Sequence, residues 1–410
     1  MAVGDIKEGE RVRAWLDTSR SLGWCVSAWG LATSVFIALT LILGGPSQAD
    51  AAQSAYSAFL IDHGDWSCAY PPAAFSHLAN GFSVTTASPL YTLIAAAAGK
   101  LMNFGASFPF PAHAMLGAKC SHAFELVASW TQESNALALM VRVGFIAWLV
   151  LAWGVVFFLR TCGRGRSGWE GTLLLALASS APVFACLESF FHPEDLMAMG
   201  LILLALGNFL RHRFFVAGLL LGLGLLTQLF TLLAIVPLAV ILTRKERFSF
   251  MVGVGVSLVI VAGPLGIVTL GRVWRALALG TSRAGLNHVK NSGGTVVFAA
   301  DFHGLALFLI SRVAPLAASA LIAVFVTHRC GGLVREPLRL VSLVGLCLAT
   351  RLVFEVNAFG YYYMASVVSL LLLDVLRGRY SGQTFSLIWL ITLAYSSLSA
   401  RRLSDISLFR

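Results

Sequence analysis

Apolar stretches near the length of a bilayer crossing recur along this chain, each closed by a short polar or basic break. Between Leu196 and Arg272 three follow in succession, "LMAMGLILLALGNFLRHR", "FFVAGLLLGLGLLTQLFTLLAIVPLAVILTRKER" and "FSFMVGVGVSLVIVAGPLGIVTLGR". A helix rises 1.5 Å per residue, so about 20 apolar residues cross the hydrocarbon layer. The runs are continuous rather than alternating, which excludes a closed β-barrel. With 58% of 410 residues hydrophobic, 12% charged and a mean hydropathy of +0.82, no soluble core could hide the apolar surface. The expected fold is an all-α polytopic membrane protein, a single membrane domain over residues 1–410.

The formal net charge of +10 does not point to nucleic acid. Its basic residues come in short clusters between apolar runs, as in cytoplasmic loops held at anionic headgroups. The N-terminal segment, residues 1–21, carries Lys7, Arg11, Arg13 and Arg20 and is expected inside. No small-residue cleavage site follows the first apolar run, so Leu22–Gly44 is expected as a retained span. From Gly45 to Gly99 there is neither Lys nor Arg. Residues 45–136 are therefore expected as a long outer loop. Within it "SPLYTLIAAAAGKLMNF" (Ser88–Phe104) is expected to lie along the outer surface as an interfacial helix. If it crossed, the next span, Leu137–Arg160, would deliver "RTCGRGR" to the outside.

The remaining spans then alternate: Trp169–Glu188, Glu194–Leu210, a short hairpin of Phe214–Thr227 and Leu229–Thr243, Phe250–Leu270, His303–Thr327, Leu338–Phe354, Gly360–Val375 and Thr384–Leu398. This gives about eleven spans, within a range of roughly 10 to 12. The hairpin arms reach only about 20 Å each. Either the hairpin stops partway and leaves Gln228 at the floor of an outward cavity, or it is tilted and Gln228 is interhelical glue. Gly218, Gly222 and Gly224 allow close backbone packing in both cases.

Charges within spans cost roughly 2.5–3.5 kcal/mol on insertion scales, so they pair or line a wet cavity. This topology gathers Arg142, Glu188, His192, Glu194, Asp195, Arg351 and Glu355 at the outer side. In "ESFFHPED", Pro193 suits a first helical turn, and Glu194 and Asp195 complement the helix dipole. His192 beside Glu188 is left over, and those two are candidates for contact with a substrate. His and carboxylates are metal-ligand types, but their spacing matches no metal motif; no cofactor is required, and a divalent metal is possible but not indicated. The outer loop 271–302 breaks the positive-inside trend with Arg272, Arg275, Arg283, His288 and Lys290. An anionic ligand, most simply a phosphate, accounts for it; so does a loop whose side is dictated by earlier spans. Asp50, just after the first span, suits a helix N-cap or a general base at a cavity rim. Cys68 and Cys120 both fall in the outer loop, where a disulfide can form.

Together these segments resemble the C-type integral-membrane glycosyltransferases that use polyprenyl-phosphate sugars. The similarity lies in Asp50 after the first span, the long outer loop with "YPP" and "SPLYTLIAAAAGKL", and "MVRVG" with Arg142. It continues in "HPED", "FFVAGLLLGLGLLTQLFTLLAIVPL" and "RLVFEVNAFGYYYMASVVSLLLLD", which are similar to actinobacterial membrane mannosyltransferases. The resemblance implies an inverting transfer on the outer face of the plasma membrane. Asp50 would deprotonate the acceptor hydroxyl, and the basic residues of 271–302, with Arg142 and Arg351, would stabilise the departing phosphate. The implied partners are a polyprenyl-phosphate sugar donor, with mannose or a pentose such as arabinose, and a glycolipid or cell-wall glycan acceptor. Related sequences often carry Lys where Gln228 stands. The paired Asp-Glu of protein mannosyltransferases is also missing from the first loop, which points away from protein acceptors. The competing expectations are a transporter or flippase of an anionic lipid-linked sugar, which needs the arginines but no general base, and a non-catalytic scaffold in an envelope assembly.

Overall fold

The computed structural model describes residues 89–102, 134–164, 180–187, 192–269, 309–354 and 360–378, with a few isolated positions between them. Of these, 91% are helical and none lies in a strand. The helices in chain order are α1 (Pro89–Met102), α2 (Ser134–Thr161), α3 (Ala181–Leu187), α4 (Pro193–Leu210), α5 (Phe214–Leu225), α6 (Leu232–Ile241), α7 (Arg244–Ser257), α8 (Gly263–Val268), α9 (Ala314–Cys330), α10 (Pro337–Phe354) and α11 (Met364–Arg377). A π-helical turn, Leu258–Ala262, joins α7 to α8, and another, Leu309–Val313, leads into α9.

Among the described residues, five helical stretches are long and apolar enough to cross a membrane: Gly144–Thr161, Pro193–Leu210, Arg244–Val268, Leu309–Arg335 and Pro337–Phe354. Their burial sorts them. α4 is 94% buried, whereas the α7–α8 stretch is 33% and the α9 stretch 22% buried. Apolar on all sides, α4 is the central post of the bundle. α7–α8 and α9 instead turn Val259, Ile260, Ile267, Leu321 and Phe325 outward. In water such a surface would be a liability; against lipid tails it is the ordinary exterior of a membrane protein.

Small residues set the closest helix contacts. A Cβ added to Gly154 would strike the backbone of Gly200, and one on Gly200 would strike Val150. α2 and α4 therefore touch backbone to backbone, running in the same direction, since Gly207 sits beside Phe157 and Thr161 further along. Gly218 against Phe250 and Gly253 against Phe215 join α5 and α7 in the same way. The Ser319 hydroxyl donates to Leu233 O at 3.2 Å and Arg335 Nη2 to Ile241 O at 3.1 Å, so α9 runs alongside α6. Thr350 Oγ1 donates to Pro315 O at 3.4 Å, which sets α10 antiparallel to α9. These directions agree with the alternation expected from the sequence over this part of the chain.

They also give the bundle two unlike ends. Arg160, Arg164, Arg211, Arg213, Arg244, Lys245, Arg247, Arg329, Arg335, Arg339 and Arg377 fall at one end. Of the Lys and Arg side chains described, Arg312 and Arg351 belong to the other end.

Two boundaries differ from expectation. "RKER" is not a loop but the first turn of α7. Thr243 N–H and its hydroxyl both donate to Glu246 Oε2, at 3.0 and 2.9 Å, which caps the helix before the apolar run begins. Arg335 then holds the same carboxylate with both terminal nitrogens, at 3.1 and 2.7 Å. Likewise α9 continues through His328 and Arg329. It breaks only at Gly331, whose φ of 55° suits a residue without a Cβ.

The hairpin is as short as its sequence suggests. At 1.5 Å per residue, α5 spans about 18 Å and α6 about 15 Å, extended by a 3₁₀ turn at Leu229–Thr231. Gln228 stands at the tip in extended conformation, φ −153° and ψ 135°. Within the expected segment Ser88–Phe104, Pro89–Met102 forms helix α1, whose Leu90 N–H donates to Leu226 O in that tip at 3.1 Å. The first span, the segment Thr384–Leu398 and most of the segments 45–136 and 271–302 lie outside the described residues; of the latter two segments the structure describes α1, the start of α2 and the isolated positions Ala58, Leu60, Ile61, Gly271, Val273 and Trp274.

Candidate functional site

The first turn of α4 lies at the end of the bundle away from the basic side chains. Pro193 needs no backbone N–H there, and it starts the helix directly behind His192. The His192 N–H donates to Cys186 O at 2.6 Å, tying the start of α4 to α3. Glu194 and Asp195 follow, and the positive end of the helix favours their charge. Both are buried, Asp195 to 1% exposure and Glu194 to 9%.

His192 Nδ1 lies 2.8 Å from Glu194 Oε1, so an ionised Glu194 takes the Nδ1 proton's hydrogen bond and sets that tautomer. The other face of the imidazole chemistry is aromatic: its ring stacks on Tyr361 with centroids 4.5 Å apart and planes 21° off parallel. Tyr361 in turn meets Tyr362 edge-on at 4.6 Å. Asp195 Oδ2 is 3.4 Å from Nη1 of Arg351, at the last turn of α10. The Arg351 guanidinium lies 3.7 Å from the Tyr362 ring centre and 5.2 Å from that of Phe230 in the hairpin tip. Cation–π contact of this kind is worth up to about 2 kcal/mol where water is excluded.

The cluster is not closed on itself. Glu194 Oε2 and Asp195 Oδ1 are buried and accept no hydrogen bond from the described residues. The Tyr91 hydroxyl, from α1, is also buried and has no hydrogen-bond partner among the described residues. A buried acceptor left unsatisfied costs roughly 1–3 kcal/mol. Such groups persist in a folded chain where something else repays them, and binding sites are where they concentrate. Among the described residues, no group of three His, Cys, Asp or Glu side chains is placed to hold a metal ion.

No protein-family model, curated protein or solved structure matches this chain. The site therefore has to be judged on its own chemistry.

Of the residues singled out from sequence, four are brought together: His192, Glu194, Asp195 and Arg351. Gln228 stands at the hairpin tip, two residues before Phe230, whose ring meets Arg351. Arg142 falls in α2, with its side chain outside the described residues. Asp50, Glu188, Arg272, Arg275, Arg283, His288, Lys290, Glu355, Cys68 and Cys120 also lie outside them. The structure adds Tyr91, Phe230, Tyr361 and Tyr362. The signal of the three tyrosines was present in "SPLYT" and "GYYYM", where a phenol interrupts an apolar run, but a tyrosine in a membrane helix is as often an interfacial anchor.

Proposed function

We propose that this chain is a C-type membrane glycosyltransferase that moves a sugar, mannose or a pentose such as arabinose, from a polyprenyl-phosphate donor to a glycolipid or cell-wall glycan. The reading places the polar end of the bundle at the outer face of the plasma membrane and the basic end in the cytoplasm, in a chain of about eleven spans. One observation carries it: two buried carboxylates at the head of the central helix, each with an oxygen that no group among the described residues satisfies. Acceptors of this kind suit the hydroxyls of a sugar.

In the proposed reaction Asp50 takes the proton of the acceptor hydroxyl. The oxygen attacks the anomeric carbon as the bond to the phosphate oxygen breaks, inverting the centre, and polyprenyl phosphate leaves with the electron pair. Arg272, Arg275, Arg283, His288 and Lys290, with Arg142, offset the charge that builds on the phosphate. Arg351, held against Asp195, contributes to the potential at the same end. The reaction needs no cofactor. The test is sugar transfer by purified protein from a polyprenyl-phosphate sugar: wild type transfers, and Asp50→Asn remains folded but does not. Full activity in Asp50→Asn would remove Asp50 as the base.

A second reading, a flippase of a lipid-linked sugar, is favoured by the half-length hairpin and the π-helical turns at Leu258–Ala262 and Leu309–Val313. Broken and partial helices are common in transporters, and π-turns gather at functional sites. Translocation of the glycolipid in liposomes without acceptor separates the two.

A further inference from the structure

Most of the cations at the basic end are engaged within the fold. Arg335 holds Glu246 and the Ile241 carbonyl. Arg247 Nε donates to Ala239 O at 2.7 Å and its Nη2 to Leu242 O at 3.0 Å, closing the end of α6. The Arg211 guanidinium lies 4.6 Å from the Phe157 ring centre and that of Arg329 5.5 Å from Phe325, while Arg339 Nε is 3.8 Å from Glu336 Oε2. Arg213, Arg244 and Lys245 differ. They are exposed, and among the described residues none of them forms an ion pair.

All three belong to one corner. Arg335 bonds Glu246 in the first turn of α7, and its guanidinium lies 6.0 Å from the ring of Phe214 in the first turn of α5. Arg213 directly precedes Phe214; Arg244 and Lys245 directly precede Glu246. Glu246 is neutralised by Arg335, so the corner keeps a net positive charge. Next to it the surface turns apolar. Arg244, Phe248 and Val252 are spaced by four and share one face of α7, where Phe248 is 74% exposed. Phe215 of α5, also exposed, adjoins α7, because its backbone lies against Gly253. This face belongs to Arg244–Val268, which is long and apolar enough to cross a membrane. A charged head with an apolar tail matches both halves; a free anion or an acidic peptide would match only the first.

We infer that the corner where α5 and α7 begin binds an anionic phospholipid, its phosphate held by Arg213, Arg244 and Lys245 and an acyl chain lying along Phe248, Val252 and Phe215. The bound lipid ties the base of the short hairpin to α7. Each Lys or Arg near an anionic surface is worth roughly fivefold in affinity, and a zwitterionic head offsets that attraction with its own cation. The site lies at the opposite end from the carboxylate cluster and is independent of what the chain transfers.

The experiment titrates phosphatidylglycerol, and phosphatidylcholine with the same chains, into the full-length protein in detergent and counts bound lipids by native mass spectrometry. Phosphatidylglycerol is expected to bind about tenfold tighter or more. Arg213→Gln with Lys245→Gln should remove most of that preference. Arg164→Gln with Arg377→Gln removes the same charge where Arg164 lies beside Gly378, at the ends of α2 and α11, and should keep it. Phe248→Ala should loosen phosphatidylglycerol severalfold with every charge in place. The inference is overturned if the two lipids bind equally, if both charge variants lose the preference alike, or if Phe248→Ala binds as wild type does. Displacement of the lipid by equimolar glycerol phosphate or a Glu-rich peptide would also overturn it, showing a bare-anion or protein-docking surface.

Discussion

Arg351 reaches across 156 residues of sequence to bring Nη1 within 3.4 Å of Asp195 Oδ2. Asp195 is 1% exposed, and the Arg351 side chain 17%. Removing one partner strands the other charge away from water, which typically costs 3–5 kcal/mol. Arg351→Met should therefore lower stability by roughly 3 kcal/mol, and the double variant with Asp195→Asn should recover most of it. Thermal unfolding of the purified variants checks this. Equal loss in the double variant would show that the pair is not the source.

Glycine at the α2–α4 crossing is a packing requirement. Gly200→Ala places a methyl against the Val150 backbone, which cannot yield as a flexible side chain would. A loss of roughly 1–3 kcal/mol is expected. Gly255 has open space around it, so Gly255→Ala in the same assay should be neutral or slightly stabilising.

At the basic end, Arg335 grips Glu246 and the Ile241 carbonyl, joining the end of the hairpin to the start of α7. The side chains are 29% and 23% exposed, so solvent screens part of the attraction. Arg335→Ala should cost about 1–2 kcal/mol, less in high salt. Sugar-lipid affinity should stay the same, because the cluster at the head of α4 lies at the opposite end.

Placement in the membrane is open to direct labelling. His212 is exposed in the turn between α4 and α5, with a φ of 59°. On the proposed topology, His212→Cys in an otherwise cysteine-free chain reacts with a membrane-impermeant maleimide only after permeabilisation. Labelling in intact cells would reverse the orientation and put the carboxylate cluster inside.

Much of this was legible in the sequence, for definite reasons. Apolar runs of span length can only be helices in lipid, so α2, α4 and α10 fall within a few residues of expectation. The hairpin was legible because its arms are too short to cross. The Pro193-Glu194-Asp195 run marks a helix start whichever neighbours it has. The start of α7 was missed although Thr243-Arg244-Lys245-Glu246 is a capping box, because charge outweighed capping in placing the boundary. What could not be read was contact across the chain. Nothing near Asp195 in sequence announces Arg351; only the folding of α4 and α10 into one bundle brings them together.

The most direct test of sugar-lipid handling is native mass spectrometry of the gently purified protein. A co-purifying polyprenyl phosphate bearing a hexose or pentose is the expected result, with the attached mass giving the sugar class. Recovery of bulk phospholipid alone, even after polyprenyl phosphate is added, would contradict the account.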